Sequence, residues 1–89
     1  MDIVYQGQLG AVVGLSSEQF DTASGQSVAD VIQALAQGKD ADAARHLLAD
    51  DGSARTSLFV ALDGVHVQDF AMSVDGAKEL LLMHPMAGG

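Results

Sequence analysis

Residues 27–38, reading SVADVIQALAQG, constrain the fold more than any other stretch of the chain. Val28, Val31, Ile32 and Leu35 recur at i, i+3, i+4 and i+7, the single apolar stripe of a helix that buries one side. Ser27 suits the N-cap, and Asp30 favours the positive end of the helix dipole. Gly38 stands where a left-handed terminating residue is expected. One stripe needs one apolar surface to lie on, and the flanking segments supply strands.

Residues 2–9 alternate as a strand, with Ile3 and Tyr5 on one face and Val4 and Gln6 on the other. Gly10 and Gly14 bracket a compact turn at Ala11-Val12-Val13. A second strand over 17–23, centred on Phe20, then closes a hairpin with the first. After the helix, residues 40–49 are Ala-rich and predict a shorter helical piece with Leu47 and Leu48 turned inward. Asp50-Asp51-Gly52-Ser53 is a turn, and LFVAL at 58–62 is a short apolar strand. Asp63-Gly64 has the composition of a two-residue hairpin turn, from which Val65 and Val67 continue with period two. Asp75-Gly76 turns the chain again, and 78–84 form a final, almost continuously apolar strand that Pro85 stops.

The expected fold class is therefore α+β, a mixed four- to five-stranded sheet with one main helix packed on one face. The first and last strands are expected to pair in parallel at its centre. Laying the stripe on the strand faces predicts one core of Ile3, Tyr5, Phe20, Val28, Val31, Ile32, Leu35, Val60, Leu62, Val67, Leu80 and Leu82. Leu81 and Met83 then point the other way. A domain over 1–84 and a flexible tail over 85–89 complete the expected layout.

Composition narrows the function. Four Lys+Arg against twelve Asp+Glu leave 89 residues with a formal charge of −8. Nucleic acid and anionic membranes are held by clustered cations, so neither is an expected partner, and a basic partner is favoured. The absence of cysteine removes disulfides, thiolate catalysis and zinc fingers. No basic, then apolar, leader precedes the first strand, so a cytoplasmic location is expected. Catalytic motifs are missing too. Gly7, Gly10 and Gly14 lack phosphate-loop spacing and read as turn glycines. His46, His66 and His84 show no metal-ligand spacing, and Asp40, Asp42, Asp50 and Asp51 read as a solvated acidic face. Neither a metal site nor a bound cofactor is expected.

What remains is the ending, Pro85-Met86-Ala87-Gly88-Gly89. Five residues reach about 16–18 Å, and two terminal glycines allow entry into a narrow channel. A terminal carboxylate with a pKa of roughly 3.5 is ionised and a poor electrophile at neutral pH. Activation as an acyl-adenylate lets it take up sulfur as a thiocarboxylate or a lysine amine as an amide. The chain would then be a carried substrate and not itself an enzyme.

On these residues the chain resembles the MoaD/ThiS sulfur carriers, small ubiquitin-like β-grasp proteins ending in Gly-Gly. The resemblance rests on Ile3-Val4-Tyr5 running to Gly14, the Ser27-Val28 helix start, the strand pair from Leu58 to Val67, and Asp75-Gly76 before Glu79 and the last strand. Pro85, Gly88 and Gly89 match the ending of the MoaD branch, while His84 replaces a proline. This resemblance implies a site at Gly89, presented by Pro85, Met86, Ala87 and Gly88. It implies an ATP- and Mg-dependent, ubiquitin-activating-like adenylating enzyme as one partner. The large subunit of molybdopterin synthase would be the other, receiving sulfur for molybdenum cofactor biosynthesis. It also implies a partner-binding sheet surface, whose positions are held here by Gln6, His66 and Met83, with Leu81 beside them. A carrier for another sulfur pathway, a ubiquitin-like protein modifier and a β-grasp interaction domain that is never activated stand as alternatives.

Overall fold

The computed structural model describes residues 1–84. In chain order its elements are β1 (Asp2–Gln6), α1 (Gln8–Val13), β2 (Ser17–Gln19), α2 (Val28–Gln37), α3 (Ala41–Leu47), β3 (Phe59–Leu62), β4 (Val65–His66) and β5 (Glu79–Met83). The strands form one mixed sheet in the order β2-β1-β5-β3-β4. β1 and β5 run parallel, with Ile3 opposite Leu80 and Tyr5 opposite Leu82, while β2 and β3 flank them antiparallel. A parallel pair needs a crossover, and this one carries α2 and α3. The expected α+β sheet with a helix on one face is what the chain forms.

Capping explains how α2 is fixed. Ser27 Oγ accepts from Asp30 N–H at 3.1 Å, and the Asp30 carboxylate accepts from Ser27 N–H at 2.9 Å, a complete capping box. The N–H groups of Val28 and Ala29 donate to the carbonyls of Met72 and Phe70, and that of Val31 to Ser27. All four donors that a helix start leaves over are thus satisfied, and two of them hold the loop between β4 and β5 against the helix. Gly38 departs from expectation. Its φ of −87° is right-handed, because the chain tightens through Gly38 and Lys39 N–H bonds to Leu35 and Ala36 and runs directly into the Asp40 cap of α3.

The stripe of α2 packs in one cluster with Ile3, Tyr5, Val60, Val67, Leu80 and Leu82. Phe20 and Leu62 only border it, half-buried, because β2 ends at Gln19 and leaves Phe20 beyond the sheet edge. The strand expected over 17–23 is correspondingly short. Leu47 turns inward as expected, Leu48 only borders the cluster, and Leu9, Leu58 and Val74 join the core without having been expected there.

Leu9 marks the main correction. The first strand stops at Gln6, and the expected turn at 10–14 is helix α1, which drives Leu9 fully into the core. Gly10 and the β-branched Val12-Val13 pair conceal this helix, since both are poor helix formers. Gly10 is required by space: a Cβ there would lie 2.8 Å from the Tyr5 carbonyl oxygen and 3.2 Å from that of Leu15. The β3–β4 turn behaves as its composition predicts, with Asp63 and Gly64 both left-handed at φ 50° and 83°. Among the described residues, no helix is long and apolar enough to cross a membrane.

Candidate functional site

β5 alternates fully buried Leu80 and Leu82 with half-buried Glu79, Leu81 and Met83. The large buried side chains of α1, α2 and α3 all belong to the cluster on the Leu80 side. The opposite face of the sheet is therefore left open. Register places Gln6 beside Met83 and Met83 beside Phe59, while Leu81 lies between Val4 and Ala61 and Ala61 faces His66. Gln6, His66, Leu81 and Met83 thus come together on one surface.

At the tail end of this surface is a hollow of about 570 Å³, lined among others by Leu58, Phe59, His66, Met83 and His84. The Phe59 and His66 rings stack in parallel across the β3–β4 pair, with centroids 4.7 Å apart and planes within 3°. Phe59 is 39% exposed, the largest apolar side chain on this face, and sequence reasoning passed over it. The signal was present: in LFVAL, inward Val60 and Leu62 force Phe59 outward.

His84, the last described residue, leans the other way, its ring edge-on to His46 with centroids 5.1 Å apart. Sequence separation gave no hint of this pair. Burial holds the His84 imidazole below its ordinary pKa, and the nearby His46 and Arg55 add to the effect. The Arg55 guanidinium donates through Nε and Nη2 to the Arg45 carbonyl at 3.1 and 3.0 Å. Arg55 therefore lies near His84 at the end of β5, while the Arg45 guanidinium is paired with Asp42 on α3. Among the described residues, no group of three or more His, Asp or Glu side chains could hold a metal ion. The remaining site residues, Pro85, Met86, Ala87, Gly88 and Gly89, lie outside the described residues.

A second polar group sits by β2. Glu18 Oε2 accepts from Tyr5 OH at 2.6 Å and from Lys39 Nζ at 2.7 Å, and the ammonium lies 5.8 Å from the Tyr5 ring centre. Burial alone would raise the Glu18 carboxyl, but the bonds from Lys39 and Tyr5 and the Lys39 charge outweigh it and hold the group below the usual range. Burial, with the adjacent Glu18, pushes the Tyr5 phenol far up, so it stays a donor. This group ties β1, β2 and the α2–α3 connection together and faces away from the hollow.

No family model and no curated protein sequence matches the chain. Solved structures do. The crystal structure of SAMP1 from Haloferax volcanii is 23% identical with a TM-score of 0.78, over 99% of this chain and 97% of that one. A second crystal structure, of H. volcanii small archaeal modifier protein 1, is 22% identical with a TM-score of 0.75, over 96% and 95%. The solution structure of the H. volcanii HVO 2177 protein is 24% identical with a TM-score of 0.75, over 99% and 84%. At such identities the likeness speaks to fold, and the fold is the ubiquitin-like β-grasp.

Proposed function

We propose that this chain is a ubiquitin-like carrier whose reacting group is the Gly89 carboxylate, adenylated by an ATP- and Mg-dependent partner that docks on the open sheet face. One observation carries the reading. The central strand β5 delivers the Pro-Met-Ala-Gly-Gly ending directly from an open apolar surface, so docking and presentation share one strand. The partner's catalytic groups act on the carboxylate; this chain supplies the surface and the reach. Leu81, Met83 and Phe59 provide apolar contact, while Gln6 and His66 provide hydrogen bonds around it.

Two fates of the adenylate follow. Displacement by sulfur gives a thiocarboxylate, a soft nucleophile suited to the MoaD-like role as small subunit of molybdopterin synthase. Displacement by a lysine amine gives an isopeptide. The second is favoured by the likeness to small archaeal modifier protein 1, the first by the Pro-x-x-Gly-Gly ending.

ATP–pyrophosphate exchange with the cognate adenylating enzyme tests the common step. Wild type is expected to exchange, and a chain lacking Gly89 to lose exchange without loss of stability. Equal rates for the two would overturn the carrier reading. Intact mass after turnover then separates one sulfur-for-oxygen exchange from higher-mass conjugates.

A further inference from the structure

Three bases, His46, Arg55 and His84, gather where β5 ends, and among the described residues none of them is paired with a carboxylate. The His84 ring stands edge-on to the His46 ring, with centroids 5.1 Å apart and planes at 74°. All three side chains belong to half-buried residues. The Arg55 guanidinium is tied through Nε and Nη2 to the Arg45 carbonyl, so its charge stays fixed beside α3. Acids near in sequence are engaged elsewhere. Asp42, one turn before His46, is paired with Arg45, and Asp50 lines a separate hollow with Arg45 and Ala41. The other neighbours add no charge: α1 has no titratable side chain, and β1 and β3 bring Gln6 and Phe59 beside Met83. His66 lines the hollow but stacks on Phe59.

The two facing rings are mounted differently. His46 rides in the last turn of α3, next to fully buried Leu47, whose carbonyl also accepts from Arg55 N–H at 2.9 Å. His84 lies one residue past the ladder, which ends where Met83 meets Gln6 and Phe59. The ring contact with His46 carries the fixed part of the chain on to His84. Neutral rings pack edge to face as an aromatic pair. A proton on each instead sets two cations in contact, half out of water, beside a third that cannot withdraw. The helix side is rigid, so the strand end yields.

We infer that His84 and His46 form a pH-sensitive latch at the end of β5, closed while both rings are neutral and opened by acid. Burial first, then His46 and Arg55, hold the His84 imidazole below its ordinary pKa, which keeps the latch closed at neutral pH. Opening gives the ending one more residue of reach, about 3.3–3.6 Å. It also frees the wall of the hollow that Met83 and His84 line. Protons pass between imidazole and water, and no covalent bond changes. The latch is a property of the free chain, so it and the carrier reading can each fail without the other.

NMR of the intact chain tests it without any enzyme. Imidazole resonances are followed from about pH 8 to about pH 4.5, just above the ordinary carboxylate range, with His66 as the reference outside the pair. His84 and His46 are expected to titrate as a coupled pair. His46→Phe keeps a ring against His84 but cannot charge, so it should move the His84 midpoint up. In wild type the His84 amide order parameter should be about 0.85 at about pH 7.5 and fall below about 0.6 once the pair is charged, while Leu82 stays rigid. His46→Phe should hold His84 rigid at both pH values. An unmoved His84 midpoint in the variant would overturn the inference. So would a His84 amide already mobile at about pH 7.5, one unchanged through the titration, or the same fall in His46→Phe.

Discussion

The two faces of the same sheet divide the work of this small protein. Toward the helices, Ile3, Val60, Leu80 and Leu82 are wholly buried, and among the described residues no polar or charged residue is buried with them. One residue along in each strand, Val4, Gln6, Phe59, Leu81 and Met83 remain half-buried or exposed. Both faces are rich in large apolar side chains, so hydrophobicity alone does not tell them apart. What differs is the cover. A face sealed by α2 gives stability, and the open face can keep Leu, Met and Phe only where they do not drive aggregation or where a partner meets them.

Adjacent residues of β5 give the sharpest way to break that division. Leu82→Ala leaves a cavity beneath α2 and should cost about 2–5 kcal/mol in equilibrium denaturant unfolding, as should Ile32→Ala opposite it. Met83→Ala, one residue on, should cost about 1 kcal/mol or less, since its side chain already meets solvent. Comparable losses at 82 and 83 would mean that both faces are covered in solution.

The converse substitution tests the open face. Met83→Asp puts a charge between Gln6 and Phe59. It should weaken binding of the adenylating enzyme by about tenfold or more, as loss of a central apolar anchor does. Titration calorimetry reads the loss, and unchanged thermal unfolding confirms that the fold is intact. Unaltered affinity would move the docking surface elsewhere.

A smaller effect is expected at the cap that seats α2 over the covered face. Ser27→Ala removes the bond to Asp30 N–H and should cost about 1 kcal/mol. A neutral result in chemical denaturation would show that the Met72 and Phe70 carbonyls alone secure the helix start.

How far the sequence disclosed this division depends on the kind of signal. The stripe of α2, its cap and the parallel β1–β5 pair were legible because period and capping are local. Leu81 and Met83 were placed on the open face by strand alternation, whereas their grouping with Gln6 and His66 came from the family resemblance, and the register puts all four on that one face. Helix α1 was hidden, since Gly10 and Val12-Val13 argue against helix, and only the packing of α1 on the Tyr5 carbonyl explains the glycine. Phe59 was overlooked although alternation reveals it. The His46–His84 contact was beyond reach, because it joins α3 to the end of β5 across the fold and leaves no trace in spacing.

That contact supplies the finest test, because it lies where the covered end of the sheet meets the hollow. His84 is held below its ordinary pKa by burial first, then by His46 and Arg55. The unfolded chain takes up this proton near pH 6.5, where an unperturbed imidazole titrates, and the folded chain resists it. The contribution of neutral His84 to stability is therefore whole above that value and is lost as pH falls through the folded pKa below it. Glu18, also depressed in the folded state, loses its contribution only lower, below the ordinary carboxylate range, so the two windows separate. His84→Gln should leave stability at about pH 7.5 little changed and flatten its fall toward about pH 5.5. Urea midpoints for wild type and variant at the two pH values measure the difference. Parallel pH slopes would mean that His84 leaves His46 in solution, and the end of β5 would then belong wholly to the open face.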